Sequence, residues 1–249
     1  MNTTIREVIN EIEGLAFGPS QIWSEKDKVF FEDRYSKIIS LMPRINKKDV
    51  GLEIGLFWGI MAFLIKKFFH PDKLYTLEHP IIYKQFTKKY LKTLKENDII
   101  LKPCDLHLGT LPWPDNFFDF IIFSELMEHL IPADIPIIIR EIKRVLKKNG
   151  WLIVTTPNIA SLIKRVNLLR GKNPIEFDLR KHQDATYGHI REYTMRELVT
   201  ILQDQNFKII NKDYFMIDVK RGLFTQIENL IAKFIPPFAN QLIILAKKF

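Results

Sequence analysis

Cysteine is almost missing from this chain. Cys104 is the single one, so no disulfide can form within the chain, which fits a reducing, cytoplasmic setting. Also missing is a membrane-length apolar run. The stretch Gly51 to Ile65 is apolar, but it contains Glu53 and falls short of the ~20 residues that a spanning helix requires. It reads as core. Met1 to Glu13 is polar and lacks the apolar region of a secretory signal, so no leader is expected. The net charge is +8, yet the lysines are spread along the chain and form no tract. No basic, aromatic-interleaved element of an RNA-binding module is visible. A solvated basic surface is the simpler reading, and the charge keeps nucleic acid open as a less expected partner. The histidines lack His-x₃-His spacing and cysteine is single, so no metal set is expected. The G-x-G-x-x-G fingerprint of dinucleotide folds is absent, which speaks against a nicotinamide oxidoreductase.

What is present suits one large α/β domain with a small appendage: 249 residues, 47% of them hydrophobic. Val50-Gly51-Leu52-Glu53-Ile54 has the residues of a buried strand. Gly55 and Gly59 mark a tight turn where a backbone can approach a ligand. Ile60 to Phe69 then has apolar residues at helical spacing. Such a unit turns free N–H groups of a helix start toward a ligand, a common cradle for nucleotides. Lys73 to Leu77 reads as a second strand ending at Glu78, 23 positions beyond Gly55. A carboxylate placed there can accept paired hydrogen bonds from a ribose diol, or it is a solvated strand-end acid.

Around this centre the chain divides into helices and strands. Residues 3–13 predict a short helix, and Gly18-Pro19 predicts a turn. A second helix capped by Ser24 carries Val29, Phe30, Ile38, Ile39 and Leu41 and is closed by Pro43. Residues 1–46 are thus a helical segment that covers the sheet edge or a pocket wall, and 47–249 are the main domain. A basic helix is expected over Ile81 to Lys95, and strands over Ile99 to Lys102, Phe120 to Phe123 and Trp151 to Thr155. An amphipathic helix ends in Arg140 to Lys148 and is stopped by Gly150. Residues 159–193 read as an insertion, with a helix through Leu162, Ile163, Val166 and Leu169 and a polar loop from Gly171 to Asp184. Thr194 and Glu197 predict a capping box for a helix from Met195 to Gln203. Strands at Phe207 to Phe215 and Gln241 to Ala246 flank an apolar stripe, Leu223, Phe224, Ile227, Leu230, Ile231 and Phe234. That helix is most simply packed on the core, with a membrane-surface helix as the lesser reading.

Three ordered blocks resemble one family. Glu53, Gly55 and Gly59 match the acidic-x-G-x-G-x-G motif of class I S-adenosylmethionine (SAM) methyltransferases, with Phe57 where that family has glycine. Asp105-Leu106 followed by Leu111-Pro112-Trp113-Pro114-Asp115-Asn116-Phe117-Phe118-Asp119, then Glu128-His129-Leu130, is similar to the family's central signature. Arg140-Glu141-Ile142-Lys143-Arg144-Val145-Leu146 and Thr156-Pro157-Asn158 continue it. The order of Thr156-Pro157-Asn158, a basic helix and Gly188-His189-Ile190-Arg191-Glu192-Tyr193-Thr194 is similar to methyltransferases of glycan and lipid-linked saccharide biosynthesis. The resemblance covers about residues 50–215. It implies a Rossmann-like, seven-stranded mixed sheet flanked by helices, with the N-terminal helices and the inserted region over the substrate side.

The same resemblance implies SAM as cofactor and S-adenosylhomocysteine as product. Glu53, Gly55, Phe57 and Gly59 would form the cofactor turn, and Glu78 would hold the ribose. Asp105 would bond the adenine amino group, unless it is only a turn residue, and Leu106 would line the ring. Glu125 and Leu126 would line the methionine side. Phe57 at a glycine position implies either a differently shaped turn or weakened cofactor binding. His129 either touches substrate or caps the next helix. His129 and His189 are candidate general bases, Tyr193 a candidate for orienting the acceptor, and Arg191 a candidate for holding an anionic substrate group. The expected activity is O-methylation of a small molecule or saccharide. A non-catalytic binder retaining the fold and an RNA methyltransferase are the alternatives.

Overall fold

In a computed structural model of the chain, the described residues are 4–18, 20, 22–175, 188–217 and 223–249. Pro19 of the expected turn and residues 176–184 of the expected polar loop lie outside them. A single sheet has the order β3-β2-β1-β4-β5-β7-β6. Its strands are β1 (Val50–Ile54), β2 (Lys73–Glu78), β3 (Ile99–Pro103), β4 (Phe118–Ser124), β5 (Leu146–Pro157), β6 (Phe207–Phe215) and β7 (Gln241–Lys248). The first five are parallel, and β7 runs antiparallel to both β5 and β6. The mixed seven-stranded sheet implied by the family resemblance is therefore present. Strand order reverses between β1 and β4, and open α/β sheets bind ligands outside the carboxyl ends of strands at such a point.

Helices cover both faces. On one side pack α1 (Ile5–Ile12), α2 (Glu25–Leu41), α3 (Ile60–Phe69) and α5 (Lys88–Glu96), through residues such as Ile9, Ile38, Phe63 and Tyr90. On the other pack α6 (Ile135–Val145) and α8 (Met195–Asp204), through Ile138, Ile142, Leu198 and Leu202. Two-sided burial explains why β1 and β4 are buried along nearly their whole length rather than at alternate residues. The N-terminal helices start where their caps dictate. Thr4 with Glu7 and Ser24 with Asp27 form reciprocal capping boxes.

Three expected elements are corrected. The basic helix over Ile81 to Lys95 is two helices, α4 (Pro80–Tyr83) and α5. The chain breaks so that Phe86 can bury and Thr87 can cap α5, its hydroxyl accepting from the Tyr90 N–H at 3.0 Å. Helix α6 ends at Val145, not at Gly150, and β5 begins at once with Leu146. Its last carbonyls are taken by the Asn116 and Phe117 N–H groups at 3.0 and 2.7 Å and by the Lys248 ammonium on Lys143 O at 2.7 Å. The stripe on α9 (Leu223–Phe234) is not simply core-packed, because Ile227, Leu230 and Phe234 face outward. The inward row carries Glu228, which accepts the Ile163 N–H of α7 (Leu162–Leu169) at 3.1 Å, and Ala232. Among the described residues, no helix is long and apolar enough to cross a membrane.

Signature residues also serve as scaffold. Arg144 donates to Glu141 and Asp115 and to the carbonyls of Leu111 and Trp113, so the block at 111–115 is clasped to α6. This clasp holds the Arg144 guanidinium above its ordinary pKa and the Glu141 carboxyl below its own.

Gly59 opens α3 at φ 75°, and a Cβ there would sit 2.2 Å from the Tyr90 hydroxyl. Gly59→Ala adds a left-handed penalty to that collision and is expected to destabilise the chain by about 2 kcal/mol or more. A urea titration reads this as a lowered midpoint. An unchanged midpoint would contradict the packing of Tyr90 on the turn.

Candidate cofactor and acceptor site

The cofactor turn begins where β1 ends. The N–H groups of Gly55 and Leu56 both donate to Leu77 O, at 3.0 and 3.1 Å, which folds the turn onto the end of β2. Gly55 adopts φ 87°, and a Cβ there would approach Leu126 Cδ2 at 3.0 Å. Phe57 takes φ 44°, in the left-handed region that favours glycine. Its ring packs on Phe17 at 5.3 Å and on Trp58 at 4.5 Å, among the aromatic side chains that join α1 and α2 to the turn. Apolar contact thus offsets a backbone penalty of about 1–2 kcal/mol.

Glu78 braces this turn. Its Oε2 accepts the Phe57 N–H at 2.8 Å, and its Oε1 accepts the His79 N–H at 2.7 Å. Each oxygen keeps a further lone pair, the acceptor capacity that a ribose diol requires. Burial pushes the Glu78 carboxyl above its ordinary pKa, against the pull of those two N–H groups. Glu53 lies deeper. Burial and the neighbouring Glu78 carboxylate drive its pKa well up, and its Oε2 is buried without a hydrogen-bond partner. A cationic ligand answers both features. SAM carries a sulfonium and an ammonium, so an orphaned carboxylate oxygen beside the glycine turn fits that group.

On the same side of the switch point, Asp105 follows β3. Its Oδ1 caps the short turn Leu106–Leu108 through the His107 N–H at 3.0 Å, and Oδ2 lies 3.8 Å from His79 Nε2. Its turn role is therefore real. Leu106 is buried in the apolar cluster beside it. Glu125 follows β4 with φ 52°, a left-handed backbone that only its surroundings sustain. Its Oε1 accepts from the Thr155 hydroxyl at 2.8 Å, and its Oε2 pairs with Arg34 of α2 at 2.9 Å. Helix α2 thereby reaches the carboxyl end of β4.

The acceptor side is built where two blocks distant in sequence meet. Asn158 forms a parallel bridge with Tyr193, and Glu128 O accepts the N–H groups of Ile190 and Arg191 at 2.7 and 3.2 Å. These bonds bring His189 against His129, with ring centroids 4.9 Å apart. Helix α6 starts only after Asp134, so His129 does not cap it. Instead His129 Nδ1 donates to Gly188 O at 3.2 Å, and His189 Nδ1 bonds Glu192 Oε1 at 2.8 Å. Glu192 is itself paired with Lys164. Burial lowers the pKa of both imidazoles, that of His189 to about 4, with His129 and Lys164 adding to the shift. Both rings are therefore neutral near pH 7. Each hands its one N–H to an oxygen acceptor, which leaves Nε2 as a bare lone pair.

Glu128 is fully buried, accepts the Thr156 hydroxyl at 3.0 Å on Oε2 and is pushed up to about 8 by burial and by Glu125. Tyr193 is buried with its hydroxyl unpartnered. Arg191 is directed elsewhere, pairing with Glu197 at 2.5 Å in front of the Thr194 capping box. Sequence reasoning did not select Arg34, Glu128, Thr155, Thr156, Glu192 or Lys164. Glu128, Thr156 and Glu192 stand inside recognised blocks, which was the available signal. Arg34 and Lys164 carried none. A polar groove of about 240 Å³ lined by Arg44, Asp119 and Lys147 lies at the opposite, amino-terminal edge of the sheet. Its Asp119 is already paired with Lys147 at 2.7 Å, and it takes no part in the site.

A family model described as "Methyltransferase domain" matches residues 29–212. An uncharacterized protein of Methanocaldococcus jannaschii is 32% identical over 141 residues, 55% of this chain and 53% of that protein. The chain thus spans about half the length of that relative. Among solved structures, a SAM-dependent methyltransferase from Archaeoglobus fulgidus aligns with a TM-score of 0.57 and 17% identity, over 86% of this chain and 93% of that one. A SAM-dependent methyltransferase from Methanosarcina mazei gives 0.61 and 17%, over 85% and 97%. A Haloferax volcanii complex of the Trm112 activator and a putative methyltransferase gives 0.63 and 12%, over 98% and 97%. At such identities these structures speak to the fold, while the family match extends over well more than half of the chain. The chain belongs to the methyltransferase domain family, and its cofactor is S-adenosylmethionine.

Proposed function

We propose that this chain methylates a hydroxyl oxygen of a small molecule or saccharide. The observation that carries this reading is the pair of neutral imidazoles with bare Nε2 atoms, set beside the residues that line the methionine side of the cofactor site. SAM supplies a methyl already activated on sulfonium, which passes to the acceptor oxygen while the S–C electron pair stays on sulfur. The protein's part is to align the reactants, to exclude water and to receive the hydroxyl proton. His129 Nε2 is the proton acceptor in this reading. His189, steadied by Glu192, flanks it. The unpartnered Tyr193 hydroxyl is available to hold the acceptor. Glu53 and Glu78 hold the cationic and ribose ends of the cofactor, with Asp105 and Leu106 at the adenine and Glu125 and Leu126 at the methionine side. With Arg191 turned to Glu197, the reading does not depend on an anionic acceptor.

Calorimetric titration with SAM and S-adenosylhomocysteine tests the first half. Glu53→Gln and Glu78→Ala are each expected to weaken SAM binding about 10-fold or more, since each removes hydrogen bonds to a charged group. A folded wild type that binds neither ligand at high micromolar concentration would favour the non-catalytic binder suggested by Phe57.

The second half needs an acceptor screen built on sugars and lipid-linked saccharides. With a turning-over acceptor, His129→Ala is expected to lower kcat by about 10²–10⁴-fold while leaving SAM affinity unchanged. An unchanged kcat would remove His129 from the chemistry. Salt-sensitive binding and methylation of tRNA instead of sugars would turn the reading toward RNA.

A further inference from the structure

The spacing of histidines along the chain gives no sign of a metal site, yet folding assembles a set of donors. Glu128, His129 and His189 each present one ligating atom, and these atoms lie within 4.8 Å of one another. Glu128 Oε1 is 3.9 Å from His129 Nε2. We infer that Glu128, His129 and His189 form a binding site for one divalent transition-metal ion, which chelates the oxygen-bearing acceptor.

The hydrogen bonds around the set are those a metal site uses to orient its ligands. A carbonyl cannot donate, so His129 Nδ1 must carry the proton it shares with Gly188 O, and Nε2 points its lone pair away. Glu192 is paired with Lys164 and presents a carboxylate oxygen, an acceptor, so His189 Nδ1 likewise donates to it, and the second Nε2 is bare. Thr156 holds Glu128 Oε2 and leaves Oε1 turned toward His129. Each ligand thus has an outer partner that fixes its orientation, as ligating histidines and carboxylates do. Among the described residues the basic group that comes within 4 Å of the fully buried Glu128 carboxyl is the His129 imidazole, itself neutral. Once ionised, this carboxylate has no cation against it, and a metal ion supplies one.

Two imidazoles and one carboxylate select a borderline ion such as Zn²⁺ or Co²⁺ over Mg²⁺ or Ca²⁺. Bonds of about 2.0–2.1 Å in tetrahedral arrangement place ligand atoms roughly 3.3 Å apart. From separations within 4.8 Å, binding requires each pair of ligand atoms to approach by about 1.5 Å or less. Three protein ligands leave a position or two open. A vicinal diol, or a hydroxyl beside a carboxylate, fills them through oxygen; with His129 Nε2 on the ion, the proton of the bound hydroxyl passes to solvent and not to His129, so the ion replaces His129 as the activating group. This inference rests on the O-methylation reading for the acceptor but not for the metal itself.

The test separates the two. Chelator-stripped protein is titrated with Co²⁺ and followed by its visible absorption, then competed with Zn²⁺, and SAM is titrated separately. The expected result is one Co²⁺ per chain, displaced by Zn²⁺. Glu128→Gln and His189→Gln should abolish the visible bands. Glu192→Gln, which removes only an outer partner, should weaken binding about 10–100-fold. SAM affinity stays unchanged in all three, which also reports that they are folded, and His189→Asn replaces any variant that is not. A wild type that binds SAM but no Co²⁺ overturns the metal site and leaves the methyltransferase reading standing. Equal Co²⁺ binding by wild type and variants places the ion elsewhere and also overturns it. Co²⁺ binding without SAM binding keeps the site and removes the cofactor reading.

Discussion

The Glu78 carboxylate holding the Phe57 amide is the contact on which the site depends. It joins the end of β2 to the turn after β1, so two strands and a loop become one rigid cradle. The turn needs that anchor because Phe57 holds a backbone conformation suited to glycine. The aromatic packing of Phe57, Trp58 and Phe17 then ties the same turn to the N-terminal helices. From there α2 carries Arg34 to Glu125, at the far side of the switch point. Cofactor side and acceptor side are thus connected through a short run of contacts, beginning at one carboxylate.

Burial of charge is the second theme. Glu53, Glu78 and Glu128 are all buried near the carboxyl ends of β1, β2 and β4, and burial raises the pKa of each. Stability alone gives no reason to gather carboxylates there, because each loses hydration. A cationic cofactor gives one for Glu53 and Glu78. The neutral imidazoles give the acceptor side a different character, with lone pairs instead of charge.

Much of the fold was legible because the strands at Val50–Ile54 and Phe207–Phe215 and the helices at Ile60–Phe69 and Leu162–Leu169 announce themselves by the spacing of their apolar residues. Where the reading slipped, distant residues decided. Helix α6 stops at Val145 because Asn116, Phe117 and Lys248 take its carbonyls, and none of these is near in sequence. Likewise Ile227, Leu230 and Phe234 face outward because Glu228 is drawn in by the Ile163 amide. In the site, individual residues such as Glu78 and His129 were readable, but their company was not. The meeting of His129 and His189, 60 positions apart, follows from the Asn158–Tyr193 bridge and from bonds to Glu128 O, which no local pattern encodes.

The most direct test of this account is a crystal structure of the chain with S-adenosylhomocysteine. It is expected to show the ribose hydroxyls on Glu78, the adenine beside Asp105 and Leu106, and the amino-acid end near Glu53, with the thioether sulfur facing His129. A ligand seated in the groove of Arg44 and Lys147, or a Glu78 carboxylate that makes no contact with it, would contradict the account.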